Sequence, residues 1–153
     1  MNQSRRDILR MTSIIGIGLA GSLFGSFNVF GAEWMPKSFE AKSLEDALKE
    51  IGVDKYSIST DVSVVSAEIA ENGAVVPVSI SSVIPKTDYM AILVDKNPSP
   101  LSAAFNIPEG TEASITTRVK MGGTSKVYAV VKADGKWFVA SKEIKVTLGG
   151  CGG

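Results

Sequence analysis

The chain has 153 residues, no histidine, a single cysteine, and 16 basic residues balanced by 16 acidic ones. One cysteine excludes an intrachain disulfide, and the lack of histidine removes the common zinc ligand sets. No basic stretch is concentrated enough to suggest a nucleic-acid partner.

Ser4-Arg5-Arg6-Asp7-Ile8-Leu9-Arg10 precedes an apolar run from Met11 to Phe30. A charged start, an apolar middle and small residues near Val29-Phe30-Gly31 make residues 1–31 a cleaved export signal. The paired Arg5 and Arg6 resemble the twin-arginine export motif, with Ile8 at its usual aromatic position. Gly16, Gly18, Gly21 and Gly25, with Ser22 and Ser26, dilute the run, which favours a cleaved leader over a membrane anchor. Cleavage leaves about 120 residues, the size of one domain with one core. The leader takes Arg5, Arg6, Arg10 and Asp7, so the remainder carries 13 basic and 15 acidic residues. Its core must hold by packing alone.

Residues 32–148 form the domain. Ser43 N-caps one helix, with Asp46 three residues on as its capping-box partner. Leu44, Ala47, Leu48 and Ile51 fall on one face, Gly52 ends the helix in the left-handed region, and Glu45 with Lys49 forms a solvated pair. The pattern then changes to period two. Ile58, Thr60, Val62 and Val64 alternate, and the phase shifts to Val65, Ala67 and Ile69, which predicts one long strand with a bulge. Glu71-Asn72-Gly73 is a turn before a returning strand of Val76, Val78 and Ile80, where Pro77 marks an edge or a non-bonding position.

Tyr89 to Val94 reads as a buried strand, and Lys96-Asn97-Pro98-Ser99-Pro100 as a rigid loop. Ile115 to Met121 alternates before Gly122-Gly123. Val127 to Lys132 joins Trp137 to Ala140 through the hairpin turn Asp134-Gly135, and a last strand carries Ile144, Val146 and Leu148. About seven short strands at this spacing predict an all-β fold. The expected architecture is an immunoglobulin-like antiparallel β-sandwich with one N-terminal helix and a flexible glycine-rich C-terminal arm.

That arm, residues 149–153, holds the chain's only thiol. Cys151 sits between Gly149-Gly150 and Gly152-Gly153. Backbone without Cβ atoms is thin and conformationally free, and the thiol lies about 10 to 14 Å beyond the strand if extended. No neighbouring histidine lowers the thiol pKa from about 8.5. An unactivated thiol on a free arm suits a carrier whose chemistry is done by other proteins. A passive disordered tail is the plainer reading of the same residues.

The remaining constellations are structural. Trp137 and Phe138 read as packing rather than a cofactor site, and Gly122-Gly123 opens no helix, so it is a turn and not a phosphate cradle. Asp88, Asp95, Glu109 and Glu112 have no acid/base spacing. No cofactor or metal is expected.

Gly149-Gly150-Cys151-Gly152-Gly153, behind an all-β domain and a twin-arginine leader, resembles the SoxY family of periplasmic thiosulfate-oxidation sulfur carriers. Glu71-Asn72-Gly73 before Val76-Pro77-Val78, the Asn97-Pro98-Ser99-Pro100 loop and Thr117-Arg118-Val119-Lys120-Met121 add to the likeness. The resemblance implies a non-enzymatic carrier that holds sulfur intermediates covalently on Cys151. It implies a heterodimer with a leaderless SoxZ-type subunit, exported together to the periplasm. It also implies a c-type cytochrome, a sulfate-releasing hydrolase and a sulfane dehydrogenase as partners, with a disulfide-linked dimer as a further assembly.

Two other classes compete. Ubiquitin-like sulfur carriers also end in Gly-Gly, but they place a helix between hairpins and need ATP, whereas the helix here precedes every strand. An immunoglobulin-like assembly module would use Cys151 for an interchain disulfide.

Overall fold

The computed structural model describes residues 36–148, so the leader with Arg5 and Arg6 and the arm with Cys151 lie outside the described residues. Two short helices open the domain, α1 (Pro36–Glu40) and α2 (Leu44–Glu50), where the sequence pattern predicts one. α2 is the expected helix. The Asp46 N–H donates to Ser43 Oγ at 3.0 Å, and Ser43 Oγ–H donates back to the Asp46 carboxylate at 2.7 Å.

Gly52, at φ +86°, lets the chain double back: its N–H donates to Lys49 O and that of Val53 to Leu48 O, both at 2.9 Å. This is a Schellman closure, and it needs the left-handed conformation. A Cβ at Gly52 would meet open space, so the cost of Gly52→Ala is conformational. The expected loss is about 1 kcal/mol in urea unfolding; no measurable loss would mean the closure does not hold the helix end.

Among the described residues nine strands follow: β1 (Tyr56–Ile58), β2 (Val62–Val65), β3 (Ile69–Asn72), β4 (Val76–Ser82), β5 (Thr87–Val94), β6 (Leu101–Asn106), β7 (Ser114–Val119), β8 (Ser125–Ala133) and β9 (Lys136–Leu148). One sheet has the order β1-β9-β8-β5-β6, with β3 also paired to β9, and the second is β2-β4-β7. They form an immunoglobulin-like sandwich, antiparallel except where β1 and β3 run parallel to β9.

The long bulged strand expected between Ile58 and Ile69 is three strands that change sheets twice. Ser59 Oγ accepts the Asp61 N–H at 3.1 Å, a local turn that ends β1 and throws the chain across to β2. After Val65 it crosses back: Ser66 Oγ–H donates to Pro77 O at 2.7 Å and Ser66 O accepts from Lys142 Nζ at 2.6 Å. Ile58 is therefore 87% exposed while Val62 is buried, so the two never shared one inward-facing row.

Elsewhere the pattern is realised or extended. Val76, Val78 and Ile80 are buried, and Pro77 lies past the end of the β2 register, where a missing N–H costs no bond on that side. Asp134 (φ 49°) and Gly135 (φ 74°) make the type I′ turn of the β8–β9 hairpin. The strands expected on either side of Ser141-Lys142-Glu143 are one continuous 13-residue β9. β6 was not visible in the sequence, because Leu101-Ser-Ala-Ala-Phe-Asn neither alternates cleanly nor is rich in β-branched residues. Glu45 and Lys49 form no ion pair; among the described residues the one ion pair is the exposed Lys86–Asp134, at 3.1 Å.

Two apolar clusters sit on opposite faces of the larger sheet. Met90, Ile92, Val94, Val127, Ala129, Val131 and Ile144 face β4 and β7 between the sheets. Ala91, Leu93, Leu101, Val130 and Val139 face Ala47 and Ile51 of the helical segment. Burial on both faces is why β5 reads as a continuous apolar run.

Candidate functional site

β9 is the last described element, and its final residues are the described ones nearest Cys151 in sequence. The β8–β9 ladder runs from Ala133↔Lys136 to Ser125↔Ile144. Past Ile144 the strand is taken up by β3, with Lys145 opposite Ile69, Val146 opposite Ala70 and Leu148 opposite Asn72. The Lys145 N–H donates to Glu68 O at 2.9 Å, and Thr147 Oγ1–H donates to Glu71 O at 3.1 Å. On the other flank the Val146 N–H donates to Thr124 Oγ1 at 3.0 Å.

The loops around this point are tied to one another. The Met121 N–H donates to Gly73 O at 2.7 Å. The Asn97 side chain clamps the β7–β8 turn from both ends, donating to Lys120 O at 2.7 Å and accepting from the Gly122 N–H at 3.0 Å. Asn72 Oδ1 accepts from the Ala74 N–H at 2.8 Å, closing the turn before β4. Val76 pairs with Val119 and Pro77 with Arg118. Glu71-Asn72-Gly73, Val76-Pro77, Asn97 and Arg118 to Met121 lie far apart in sequence. Folding links them into one bonded set, which Asn72 joins to Leu148.

Cys151, Gly149, Gly150, Gly152 and Gly153 lie outside the described residues, as do Arg5 and Arg6. Sequence reading therefore found the thiol but not its mounting. Thr124 and Thr147, which grip the end of β9, carry no signal as isolated threonines. The one available hint was that Thr124 follows the Gly122-Gly123 turn.

Trp137 is a packing residue, as its pattern suggests. It meets Tyr89 edge-on with ring centroids 5.7 Å apart, and Lys132 Nζ lies 5.5 Å from its ring centre. Burial pushes the Tyr89 phenol up from 10.0; Tyr128 is raised by burial first, then by Asp95 and Tyr56. Among the described residues, open surface pockets lie along Tyr56–Trp137, Lys86–Asp134 and Pro85–Glu112. The first two include Gly135 of the hairpin turn, roughly 40 Å along extended β9 from Leu148. Among the described residues no cluster of acidic or sulfur ligands can hold a metal, and no helix is long and apolar enough to cross a membrane.

Comparison with known proteins follows the same geometry. Residues 49–151 match the family model described as sulfur oxidation protein SoxY, and the last residue matched is Cys151. The fold matches the solved structure of the sulfur carrier protein SoxY from Chlorobium limicola f thiosulfatophilum. The TM-score is 0.63 at 34% identity, covering 69% of this chain and 97% of that one. No curated protein matches.

Proposed function

The chain belongs to the SoxY family, and from that premise we propose that it is a sulfur carrier of the sulfur-oxidising system, with Cys151 as the covalent attachment point. The observation that carries the proposal is a family match reaching through the whole sandwich to the single cysteine at its end.

The chemistry is a two-electron coupling followed by a hydrolysis. The Cys151 thiolate and thiosulfate form a sulfur–sulfur bond and give up two electrons to a c-type cytochrome, leaving cysteine S-thiosulfonate. Water then attacks the terminal sulfonate sulfur in a hydrolase, releasing sulfate and two protons and leaving a persulfide. A sulfane dehydrogenase oxidises what remains. The carrier contributes one thiol and a means of presenting it, and the partners supply the activation.

The arm's glycines serve that presentation, because a thiol entering several narrow sites needs backbone without side chains. Gly150→Val or Gly152→Val is expected to slow turnover with the partner enzymes at least several-fold while the melting temperature stays put. Unchanged turnover with either variant would sink this role.

Our reading places the mature protein, residues 32–153, in the periplasm, paired with a leaderless SoxZ-type subunit and exported by the twin-arginine route. The pair should stay in the cytoplasm when Arg5 and Arg6 are both changed to Lys. Normal export of the partner in those cells would count against this route.

The test of function is the intact mass of protein purified without reductant from cells oxidising thiosulfate. A reducible adduct on Cys151 with the mass of thiosulfate or added sulfur is expected. A bare thiol, or only a disulfide to another chain, would support an assembly module instead.

A further inference from the structure

Of the chain's asparagines, Asn72 is the one followed by glycine. It is exposed at the end of β3, and its side chain turns back along the chain so that Oδ1 accepts the Ala74 N–H at 2.8 Å. An Asx turn of this kind carries the amide carbon towards the Gly73 backbone, and the bonded N–H draws electrons from that carbon. The Gly73 N–H, outside both strands, has no acceptor among the described residues. Gly73 is buried, but the turn's own backbone bond, from the Val75 N–H to Asn72 O, is 3.5 Å long. A bond at the limit of its range lets the loop open at little cost.

We infer that Asn72-Gly73 is a modification site, where Asn72 loses its amide spontaneously through a cyclic imide and the resulting isoaspartate unpicks the end of β3. The inference is independent of the carrier reading.

The Gly73 backbone nitrogen, its proton lost to water or hydroxide, attacks Asn72 Cγ. The N–Cγ bond forms, the Cγ–Nδ2 bond breaks, and ammonia leaves with a proton from solvent. Water then opens the imide at either carbonyl, giving aspartate or, with the backbone rerouted through the side chain, isoaspartate. No oxidant or enzyme is required, and glycine presents no side chain to block the attack.

The other described candidates are protected. Asn97 precedes Pro98, whose nitrogen bears no proton, and the Ile107 N–H after Asn106 is held by Asp88 O at 2.8 Å. Asp134 also precedes a glycine, but its carboxylate is paired with Lys86 at 3.1 Å, and a charged carboxylate is a poor electrophile.

Aspartate at position 72 adds a carboxylate beside Glu68 and Glu71. Isoaspartate goes further, because it inserts an extra backbone atom before Gly73. Asn72 is paired with Leu148, and Gly73 O accepts the Met121 N–H at 2.7 Å, so one tie lies on each side of the insertion. A lengthened backbone cannot keep both in register.

Full-length protein is held for days in mildly alkaline, amine-free buffer beside a synthetic peptide of residues 70–76, and both are followed by intact mass and peptide mapping. A gain of one mass unit at Asn72, shared between aspartate and isoaspartate, is expected in the folded protein, with none at Asn97 or Asn106. Asn72→Gln, which needs a larger imide ring, should remove the gain, and Gly73→Ala should slow it at least several-fold. The Met121 amide should exchange faster in the isoaspartate fraction than in Asn72→Asp protein, which carries the charge without the extra atom. An unmodified Asn72 after the peptide has converted, or the same mass gain in Asn72→Gln, would overturn the site. An all-aspartate product, or equal Met121 exchange in the two forms, would overturn the effect on β3.

Discussion

Cys151→Ser is expected to abolish thiosulfate-derived mass on the protein and all turnover that depends on it, while leaving the melting curve unchanged. Each proposed intermediate is held through a sulfur–sulfur bond, which a serine oxygen cannot form. The hydroxyl is also almost wholly protonated at neutral pH, whereas a thiol of ordinary pKa provides a few per cent of thiolate. The last described strand, β9, reaches Leu148, three residues before the substitution. Stability should therefore move by less than about 0.5 kcal/mol, as for a surface change away from packing and caps. Intact mass and calorimetry on the same preparation check both halves. Adduct retained on Cys151→Ser protein would place the attachment elsewhere.

The second large effect belongs to β5. Ile92 and Leu93 are neighbours in sequence, both with no exposure, and they face opposite clusters: Ile92 the space between the sheets, Leu93 the layer under α2. Truncating either to alanine removes apolar transfer energy and leaves a cavity, which together cost about 2–5 kcal/mol. Against a total of about 5–15 kcal/mol for a domain this is severe, and a drop in melting temperature of roughly 10–25 °C is expected. The informative comparison is between the two. Comparable losses for Leu93→Ala and Ile92→Ala would establish the helical layer as part of the cooperative core. A loss below 1 kcal/mol for Leu93→Ala alone would make that layer an accessory that melts independently.

Neither pair of facts was equally visible beforehand. The run from Tyr89 to Val94 announced a buried strand, and Leu44, Ala47, Leu48 and Ile51 announced a helix face seeking a sheet. That these two surfaces meet is settled only by packing. The same holds around the arm. The thiol and its glycines were legible because they are contiguous, whereas the bonds of Asn97 with Lys120 and Gly122 and of Thr124 with Val146 join residues 22 to 25 positions apart, and Asn72 is paired with Leu148. Short-range pattern cannot report such contacts, because the loop-closure cost of each is repaid only by the others forming with it.

What the sequence determined by itself was local: the capped α2 from Ser43 and Asp46, the turn at Asp134-Gly135, the inward rows of β4 and β7, and the position of the one cysteine. Each follows from backbone preferences and side-chain period within a few residues. Tertiary structure alone decided the double crossing of β1, β2 and β3 and the edge strand β6. It also made β9 one strand 13 residues long, with β1 and β3 in parallel along its outer edge. Those outcomes turn on which sheet completes each backbone's hydrogen bonds, and a peptide N–H or C=O carries no mark in the sequence of the strand that will satisfy it.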